Sequence, residues 1–187
     1  MNKVIIFAAP SGSGKTSIVK ELLKSNSNLK FSISATTRPM RNNEVDGKDY
    51  HFISADEFKD KIKNGDFFEY QEVYDGVFYG TLNSELNKIW ESNGIVLFDV
   101  DVIGGVDLKN KIGDSALSIF VKAPNIESLK ERLISRSTDS EESIKIRLSK
   151  ASSELKYETK YDYVLVNDDF NNAVSEVKET VSKFIDK

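Results

Sequence analysis

The strongest constraint on the fold is a short apolar run followed at once by a glycine-rich loop near the N-terminus. Val4–Ala8 is apolar without alternation, a pattern typical of a strand buried on both faces, as in a parallel sheet. The loop Ala9-Pro10-Ser11-Gly12-Ser13-Gly14-Lys15-Thr16 comes next, and apolar residues at helical spacing predict a helix over about 16–24. Strand, loop and helix in this order indicate the start of an α/β fold.

The loop differs at one position from the phosphate-binding pattern Gly-x4-Gly-Lys-Ser/Thr, because Ala9 stands at the first glycine. Gly12 and Gly14 allow the backbone to curl, so that its N–H groups face an anion at the positive end of a helix. Lys15 would reach the β- and γ-phosphates of a nucleotide, and the Thr16 hydroxyl would bind Mg²⁺. The alternative is a flexible glycine–serine turn with an unrelated lysine, which the order of strand, loop, Lys-Thr and helix makes the weaker interpretation.

An aspartate later in the chain is a second feature that is consistent with a phosphate-binding site. The apolar run Ile95-Val96-Leu97-Phe98 predicts a buried strand that ends in Asp99. We expect Asp99, with Thr16, to hold Mg²⁺, partly through water. Taken alone, an aspartate at the end of a buried strand is a weak signal.

Composition excludes several classes of protein. The 187 residues carry a formal net charge of −4, whereas a nucleic-acid binder usually shows the reverse balance. No cysteine is present, so disulfides, Cys-zinc sites and a cysteine nucleophile are excluded, and the single His51 favours a structural role. No apolar run approaches the roughly 18 residues of a membrane span. We expect a cytoplasmic protein without nucleic-acid or membrane partners, and a homo-oligomer is one open alternative.

Further strands and helices are predicted along the chain. After residue 94 we expect strands at 116–121 and 163–166, and helices near 106–111, after the cap Asn125, after the capping-box pair Thr138 and Glu141, and from about 171. Residues 30–82 differ: we expect short aromatic-rich strands near 31–34, 49–53, 67–73 and 77–79, and a helix that opens with the capping-box pair Ser54 and Glu57.

Several ordered motifs closely resemble the guanylate kinase family. They are Ser34-Ala35-Thr36-Thr37-Arg38-Pro39-Met40-Arg41, Asn43-Glu44-Val45-Asp46-Gly47-Lys48-Asp49-Tyr50-His51-Phe52, Phe78-Tyr79-Gly80-Thr81, Asp99-Val100-Asp101 and Val166-Asn167-Asp168, with Arg132, Arg136 and Arg147 where the family has lid arginines. The resemblance runs nearly end to end. The chain departs from the family pattern at Ala9, at Ile103 in place of glutamine, and at Ser137 in place of glycine.

The resemblance implies a fold and a reaction. The expected fold is α/β: a P-loop, three-layer, doubly wound parallel sheet with a small mixed α+β GMP-binding insert and a helical lid. The chain would form one domain, with a core of about 1–33, 84–125 and 158–187, the insert at 34–83 and the lid at 126–157. The implied activity is the Mg²⁺-dependent transfer of the ATP γ-phosphoryl group to GMP, and to dGMP.

The resemblance also implies roles for individual residues. Its catalytic residues are Lys15, Arg38, Arg136 and Arg147. Its ATP-binding residues are Ala8, Ala9, Pro10, Ser11, Gly12, Ser13, Gly14, Lys15, Thr16, Arg132 and Asn167. Its GMP-binding residues would hold the phosphate through Arg38, Arg41, Tyr50 and Tyr79, and would read the guanine through Ser34, Glu69, Thr81 and Asp101. Asp99 is also among the GMP-binding residues.

These residue types suit phosphoryl transfer between nucleotides. A guanidinium binds phosphate oxygens in pairs, and it stays charged when water leaves. The carboxylate of Glu69 can accept hydrogen bonds from guanine N1–H and N2–H₂ together, which adenine cannot offer. Taken singly, Arg38 and Arg41 could be solvated charges, and Tyr50 and Tyr79 ordinary strand aromatics.

Three other functions stay open at this point. A nucleotide-switch GTPase fits the spacing of Asp101-Val102-Ile103-Gly104, but Asn110-Lys111-Ile112-Gly113 lacks the final aspartate of a guanine-reading motif. A non-catalytic module of similar fold would generally lack a working phosphate loop, whereas Lys15 and Thr16 are present. The third alternative is a kinase for AMP or UMP.

Overall fold

A computed structural model describes residues 2–135 and 141–186, apart from the side chains of Val73, Tyr74 and Glu141. The strands are β1 Val4–Ala8, β2 Leu29–Phe31, β3 Ser34–Thr36, β4 His51–Phe52, β5 Phe67–Tyr74, β6 Val77–Leu82, β7 Ile95–Val100, β8 Ala116–Lys122 and β9 Tyr163–Val166. The helices are α1 Lys15–Ser25, α2 Ala55–Lys63, α3 Asn83–Glu91, α4 Val102–Ile112, α5 Ile126–Ser135, α6 Glu141–Glu154 and α7 Phe170–Ile185, with 3₁₀ turns at Gly113–Ser115 and Leu155–Lys160.

The first sheet has five strands in the order β2-β7-β1-β8-β9. β1 pairs with β8, and β8 with β9, in parallel. Every residue of β1 is buried, as its unbroken apolar run predicted. Successive strands are added on both sides of β1, which is the doubly wound arrangement. The expected α/β class with a parallel sheet is confirmed.

Helix α1 begins where the glycine loop ends. Its N-cap is Gly14, and its buried residues are Ile18, Val19 and Leu22. Helix α7 packs against α1. The N-cap Asp169 of α7 accepts a hydrogen bond from the backbone N–H of Asn172 at 2.8 Å. The glycine loop is therefore held between the buried strand β1 and the packed helix α1.

The second sheet has four strands in the order β4-β3-β6-β5. β3 pairs with β4 in parallel, and β6 pairs with β3 and β5 in antiparallel fashion. Phe58 of α2 lies at the centre of the small core beneath this sheet, with its ring 4.2 Å from that of Phe67 and 5.3 Å from that of Phe78. The predicted cap of α2 is confirmed, because the Ser54 hydroxyl accepts from the N–H of Glu57 at 3.1 Å.

The chain divides into two compact units. The terminal unit comprises Met1–Leu29 and Leu97–Lys187, and the central unit comprises Lys30–Val96. The limits expected above for the insert and the lid stay predictions.

Three elements differ from the expectations. The predicted strand at 31–34 is two strands, because β2 ends at Phe31 in the first sheet and β3 begins at Ser34 in the second. Helix α3 was not predicted, and its N-cap Leu82 makes no side-chain cap. Helix α4 begins at Val102 rather than 106, since Asp101 caps it by accepting from Gly104 N–H at 2.7 Å. Gly104 and Gly105, which disfavour helix, obscured that start.

The helices at residues 126–154 follow their predicted caps in part. The Asn125 side chain accepts from Ser128 N–H at 2.7 Å, which confirms the cap of α5. α5 and α6 pack through Leu129 and Ala151, with Leu148 against them. The predicted cap Thr138 lies outside the described residues. Within the described ranges, no helix is both long and apolar enough to cross a bilayer.

A buried tyrosine ties α4 to the 3₁₀ turn that follows α6. The hydroxyl of Tyr161 donates to the carbonyl of Val102 at 2.6 Å, and burial raises the pKa of that phenol above its ordinary value. A side chain at Gly105 would collide with the same hydroxyl, so α4 and Tyr161 fit without a gap.

We expect Tyr161→Phe to lower the free energy of unfolding by about 1–2 kcal/mol, because a buried acceptor loses its partner. Urea denaturation followed by circular dichroism measures the change. Tyr157→Phe, at a tyrosine that is 39% exposed, is the matched control and should be close to neutral. Equal stability of the two variants would contradict the interpretation of the Tyr161 bond.

Candidate active site

A cavity of about 410 Å³ lies beside the glycine loop in the terminal unit. Its lining combines loop backbone with charged side chains, and consists of Ala9, Pro10, Ser11, Gly12, Ser13, Gly14, Lys15, Thr16, Ser17, Asp99, Val100, Asp101, Arg147, Lys150 and Glu154. We call it the phosphate pocket. It brings together nearly all of the loop residues predicted to bind ATP; the remaining one, Ala8, is buried at the end of β1.

The loop keeps its curl through two left-handed residues and a buried amide. Gly12 has φ 91° and Gly14 has φ 89°, a region that side chains rarely adopt. A Cβ on Gly14 would collide with the amide nitrogen of Asn167. That amide donates to the carbonyl of Ser13 at 2.8 Å, and Asn167 is only 5% exposed. The predicted ATP-binding residue Asn167 therefore directs its side chain to the loop itself.

Lys15 and Asp99 form an ion pair in the phosphate pocket. The Lys15 ammonium also donates to the carbonyl of Val100 at 2.6 Å. Both side chains are less than one-fifth exposed, at 17% and 18%. Thr16 lies exposed on the first turn of α1. The two predicted magnesium ligands thus border one pocket with the loop lysine.

Charged side chains of α6 complete the pocket wall. Arg147, Lys150 and Glu154 line it, and the Arg147 guanidinium lies 3.4 Å from the Ser11 hydroxyl. Burial raises the pKa of Glu154 above its ordinary value, although the ammonium of Lys150, 3.6 Å away, opposes this. The predicted catalytic Arg136 lies outside the described residues.

A second cavity of about 340 Å³ lies on another side of the same loop. Its lining residues are Gly12, Gly14, Ser17, Arg132, Ser135, Asn167, Asp168 and Phe170. Arg132 donates through Nη2 to the carbonyl of Asn167 at 2.8 Å. Its Nη1 is buried and has no hydrogen-bond partner within the described residues.

In the central unit, three residues predicted to read guanine form one row across the sheet. Ser34 on β3 pairs with Thr81 on β6, and Thr81 pairs with Glu69 on β5. Residues paired in this way point to the same face of a sheet. The Thr81 hydroxyl donates to Oε1 of Glu69 at 2.6 Å, and Thr81 is only 1% exposed.

The predicted phosphate ligands of GMP lie on and beside the same sheet. Tyr79 is two residues from Thr81 and so shares its face. The Nε–H of Arg38 donates to the Tyr79 hydroxyl at 3.1 Å, and the guanidinium lies 5.3 Å from the ring of Tyr50. The rings of Tyr50 and Tyr79 meet edge to face at 5.8 Å. Arg41 is exposed in the loop that follows β3.

Asp99 and Asp101, both also expected to contact GMP, lie in the terminal unit. The Asp101 carboxylate caps α4 and lines the phosphate pocket. Ile103, which departs from the family pattern, is 54% exposed on α4.

Sequence reasoning missed three charged residues of these sites. Lys150 and Glu154 follow Arg147 at spacings of three and seven, which places all three on one face of α6; that periodicity could have indicated them. Glu44 lies within one of the motifs that resemble the family, but no role is predicted for it. Its position three residues after Arg41 is the spacing of a turn-capping acceptor, and it does accept from Arg41 N–H at 2.8 Å.

Comparison with known proteins agrees with this geometry. The guanylate kinase family model matches residues 1–184. A guanylate kinase of Bacteroides fragilis is 48% identical over 183 residues, covering 98% of this chain and 90% of its own length. The guanylate kinase of Porphyromonas gingivalis is 45% identical and covers all of both chains.

A solved structure is also similar. The crystal structure of guanylate kinase from Anaplasma phagocytophilum superposes with a TM-score of 0.74 at 28% identity, covering 97% of this chain and 85% of that one. Because the family model spans almost the whole chain and the bacterial relatives align from end to end, the chain belongs to the guanylate kinase family.

Proposed function

We propose that this chain carries out the guanylate kinase reaction with the residues described above, the phosphate pocket serving ATP and the second sheet serving GMP. Family membership supplies the reaction: the γ-phosphoryl group of ATP is transferred reversibly to GMP, giving ADP and GDP, in purine nucleotide metabolism and GMP recycling. The observation that carries the assignment of residues is the Lys15–Asp99 pair at the loop, which a non-catalytic module would not need.

The chemistry requires no protein nucleophile. An oxygen of the GMP phosphate attacks the γ-phosphorus of ATP, while the bond from that phosphorus to the β–γ bridging oxygen breaks and ADP leaves with the electron pair. The GMP phosphate is already an anion, so no general base is needed. The protein has to orient the two nucleotides and offset the charge on the transferred group.

The phosphate pocket provides the orientation and the charge compensation that ATP needs. Backbone N–H groups of residues 11–16 would face the phosphates at the start of α1, where the helix dipole favours negative charge. The Ser13 N–H is the exception, because it donates to the Pro10 carbonyl at 3.2 Å. Lys15 offsets charge on the β- and γ-phosphates, and Arg147 with Arg136 neutralises the transferring group. The Lys15–Asp99 contact supports this role because it holds the ammonium at the loop rather than in solvent.

The donors around the loop fit a magnesium ion. Mg²⁺ usually takes one or two carboxylates together with substrate phosphates and water. Asp99 and Thr16 provide a carboxylate and a hydroxyl at the pocket. Within the described ranges, no group of three acidic or histidine side chains is suited to hold a metal. The side chains of Asp99 and Thr16 would hold Mg²⁺ and so bring a cation that would neutralise phosphate charge.

The cavity beside Arg132 is our proposed site for the adenine of ATP. It shares Gly12 and Gly14 with the phosphate pocket, so one loop borders both. Arg132 lines this cavity, and Phe170 offers an apolar ring that is 40% exposed. Asn167 acts beneath the loop, through the Ser13 carbonyl, rather than on the base.

The row Ser34–Thr81–Glu69 is our proposed guanine site. The Glu69 carboxylate accepts from guanine N1–H and N2–H₂, and Thr81 orients it through their 2.6 Å hydrogen bond. Arg38, Arg41, Tyr50 and Tyr79 hold the phosphate. Asp99 and Asp101 remain proposed GMP contacts on the resemblance alone.

The competing GTPase function has little structural support. A guanine-reading motif must present its side chains from a loop beside the base, whereas Asn110, Lys111 and Ile112 form the last turn of α4. Two other expectations also stay proposals, namely a cytoplasmic location and assembly, if any, into a homo-oligomer.

A coupled assay of ADP release tests the function directly. With ATP and Mg²⁺ we expect rapid turnover of GMP and dGMP and little turnover of AMP or UMP. Removing Mg²⁺ with EDTA should abolish the reaction, and excess Mg²⁺ should restore it. Hydrolysis of GTP without phosphorylation of GMP would instead support a switch GTPase.

We expect Lys15→Met to lower kcat by at least about a hundredfold while the fold persists, because it removes charge stabilisation made mainly in the transition state. Initial rates at saturating ATP and GMP measure kcat, and thermal unfolding checks the fold. Lys20→Met, at an exposed lysine of the same helix, is the control. Near-normal turnover of the Lys15 variant would rule out the assigned loop.

We expect Glu69→Gln to lower kcat/KM for GMP by about 10²- to 10⁴-fold, since one of two guanine donors then faces an amide N–H₂ group. The KM for ATP should change little. Glu72→Gln is the matched control, because Glu72 lies on the same strand and caps Gly76 N–H at 2.8 Å. An equal loss for both substrates would argue against a base-reading role of Glu69.

A further inference from the structure

One carboxylate in the central unit contacts both arginines of the proposed GMP phosphate site. Glu44 accepts from Arg38 Nη1 at 2.8 Å through Oε2 and from Arg38 Nη2 at 2.7 Å through Oε1. The same Oε2 accepts from the backbone N–H of Arg41 at 2.8 Å. The side chains of Arg38 and Glu44 are only 15% and 16% exposed. This is a paired, charge-assisted contact rather than a loose surface ion pair.

The remaining contacts of Arg38 leave it little freedom. Its Nε–H donates to the Tyr79 hydroxyl at 3.1 Å, and Nη1 also donates to the Pro39 carbonyl at 2.7 Å. A guanidinium has five N–H groups, so within the described residues four of them have acceptors. The one left is on Nη2. The guanidinium also lies 5.3 Å from the ring of Tyr50 and 5.5 Å from that of Phe52, which limits its tilt.

The charge on Glu44 persists at every useful pH. The hydrogen bonds from Arg38 and from the Arg41 backbone lower the pKa of Glu44 to about 2. Because the pKa is depressed in the folded protein, the contribution of this pair to stability is present above the ordinary carboxyl pKa and is lost only as the pH falls towards 2. Between about pH 5 and pH 9 the pair therefore does not titrate.

We propose that Glu44 is a positioning residue for the GMP phosphate, acting through Arg38 and the backbone at Arg41 without touching the nucleotide. The inference rests on the proposed function of these arginines. A free arginine loses much side-chain entropy when it binds phosphate, and Glu44 imposes that order in advance. The opposite effect, competition by Glu44 for the N–H groups of Arg38, is the alternative that the experiment must separate.

The test compares GMP with guanosine, which lacks the phosphate. In Glu44→Gln we expect KM for GMP to rise about 10- to 100-fold, as for other losses of positioning. KM for ATP, and the inhibition constant of guanosine against GMP, should stay within about twofold of wild type. Glu44→Asp keeps the charge but shortens the arm, so it should give a smaller rise, and it carries the test if thermal unfolding shows that the glutamine variant is not folded.

Asp49→Asn is the matched control. Asp49 accepts from the Val45 N–H at 2.7 Å in the same loop, and no hydrogen bond or ion pair that the structure gives for it involves Arg38 or Arg41. We expect its KM for GMP to equal that of wild type. An equal rise in the two variants would show that general order of the loop, and not the arginine contacts, is responsible.

Three further results would also overturn the inference. They are an unchanged KM for GMP in Glu44→Gln, a lower KM, which would make Glu44 a competitor, and an equal weakening of guanosine. Titration calorimetry of GMP and guanosine gives the same comparison without catalysis. Failure of wild-type protein to form GDP would thus count against the proposed function, while the binding ratio would still decide the role of Glu44.

Discussion

The proposed active site depends on the glycine loop, whose backbone curls at Gly12 and Gly14 and is held in that shape by a buried amide. Both residues have positive φ, so the curl is available only because they lack side chains. The buried amide of Asn167, which fills the space beside Gly14, bonds the Ser13 carbonyl. Together with β1 and α1, this amide holds the loop in an arrangement in which its N–H groups can serve an anion.

Charge in this acidic chain is organised in local pairs. With a net charge of −4, the protein cannot attract nucleotides by its overall field. Lys15 instead contacts Asp99, Arg38 contacts Glu44 and Lys150 contacts Glu154. Lys15 and Arg38, which are both less than one-fifth exposed, are each ordered by a carboxylate, and this reduces the entropy lost when a phosphate binds. In our proposals the carboxylates thus serve the same reaction as the cations.

In the proposed guanine site, base recognition depends on strand register. Ser34, Thr81 and Glu69 come from three strands and are separated by up to 47 positions in the sequence. Antiparallel pairing of β6 with β3 and β5 places them in one row. A shift of one residue in either pairing would turn one of these side chains to the other face of the sheet. The packed rings of Phe58, Phe67 and Phe78 oppose such a shift, because they fill the core beside these strands.

Much of the fold and site was predictable where the signal is local. The unbroken apolar run of β1, the glycines before Lys15 and the caps Ser54 and Asn125 each act within a few residues. Helix α3 was missed because Leu82 offers no cap, and α4 was placed too late because two glycines follow its cap Asp101. The role of Glu44 was likewise not evident from the sequence, and neither was the direction of the Asn167 amide, which points to the Ser13 carbonyl.

The sequence by itself determined the parts whose physics is local: a buried parallel strand, a phosphate loop, the capped helices and a set of arginines and acids in a recognisable order. Only the tertiary structure decided which carboxylate pairs with which cationic side chain, and which hydrogen-bond donors remain without an acceptor. Examples are Glu44 between two arginines and Arg132, whose Nη1 has no partner in the part of the chain that the structure describes. These pairings depend on distances between residues that are remote in the chain or that a loop brings together. The spacing of residues in the sequence does not encode those distances.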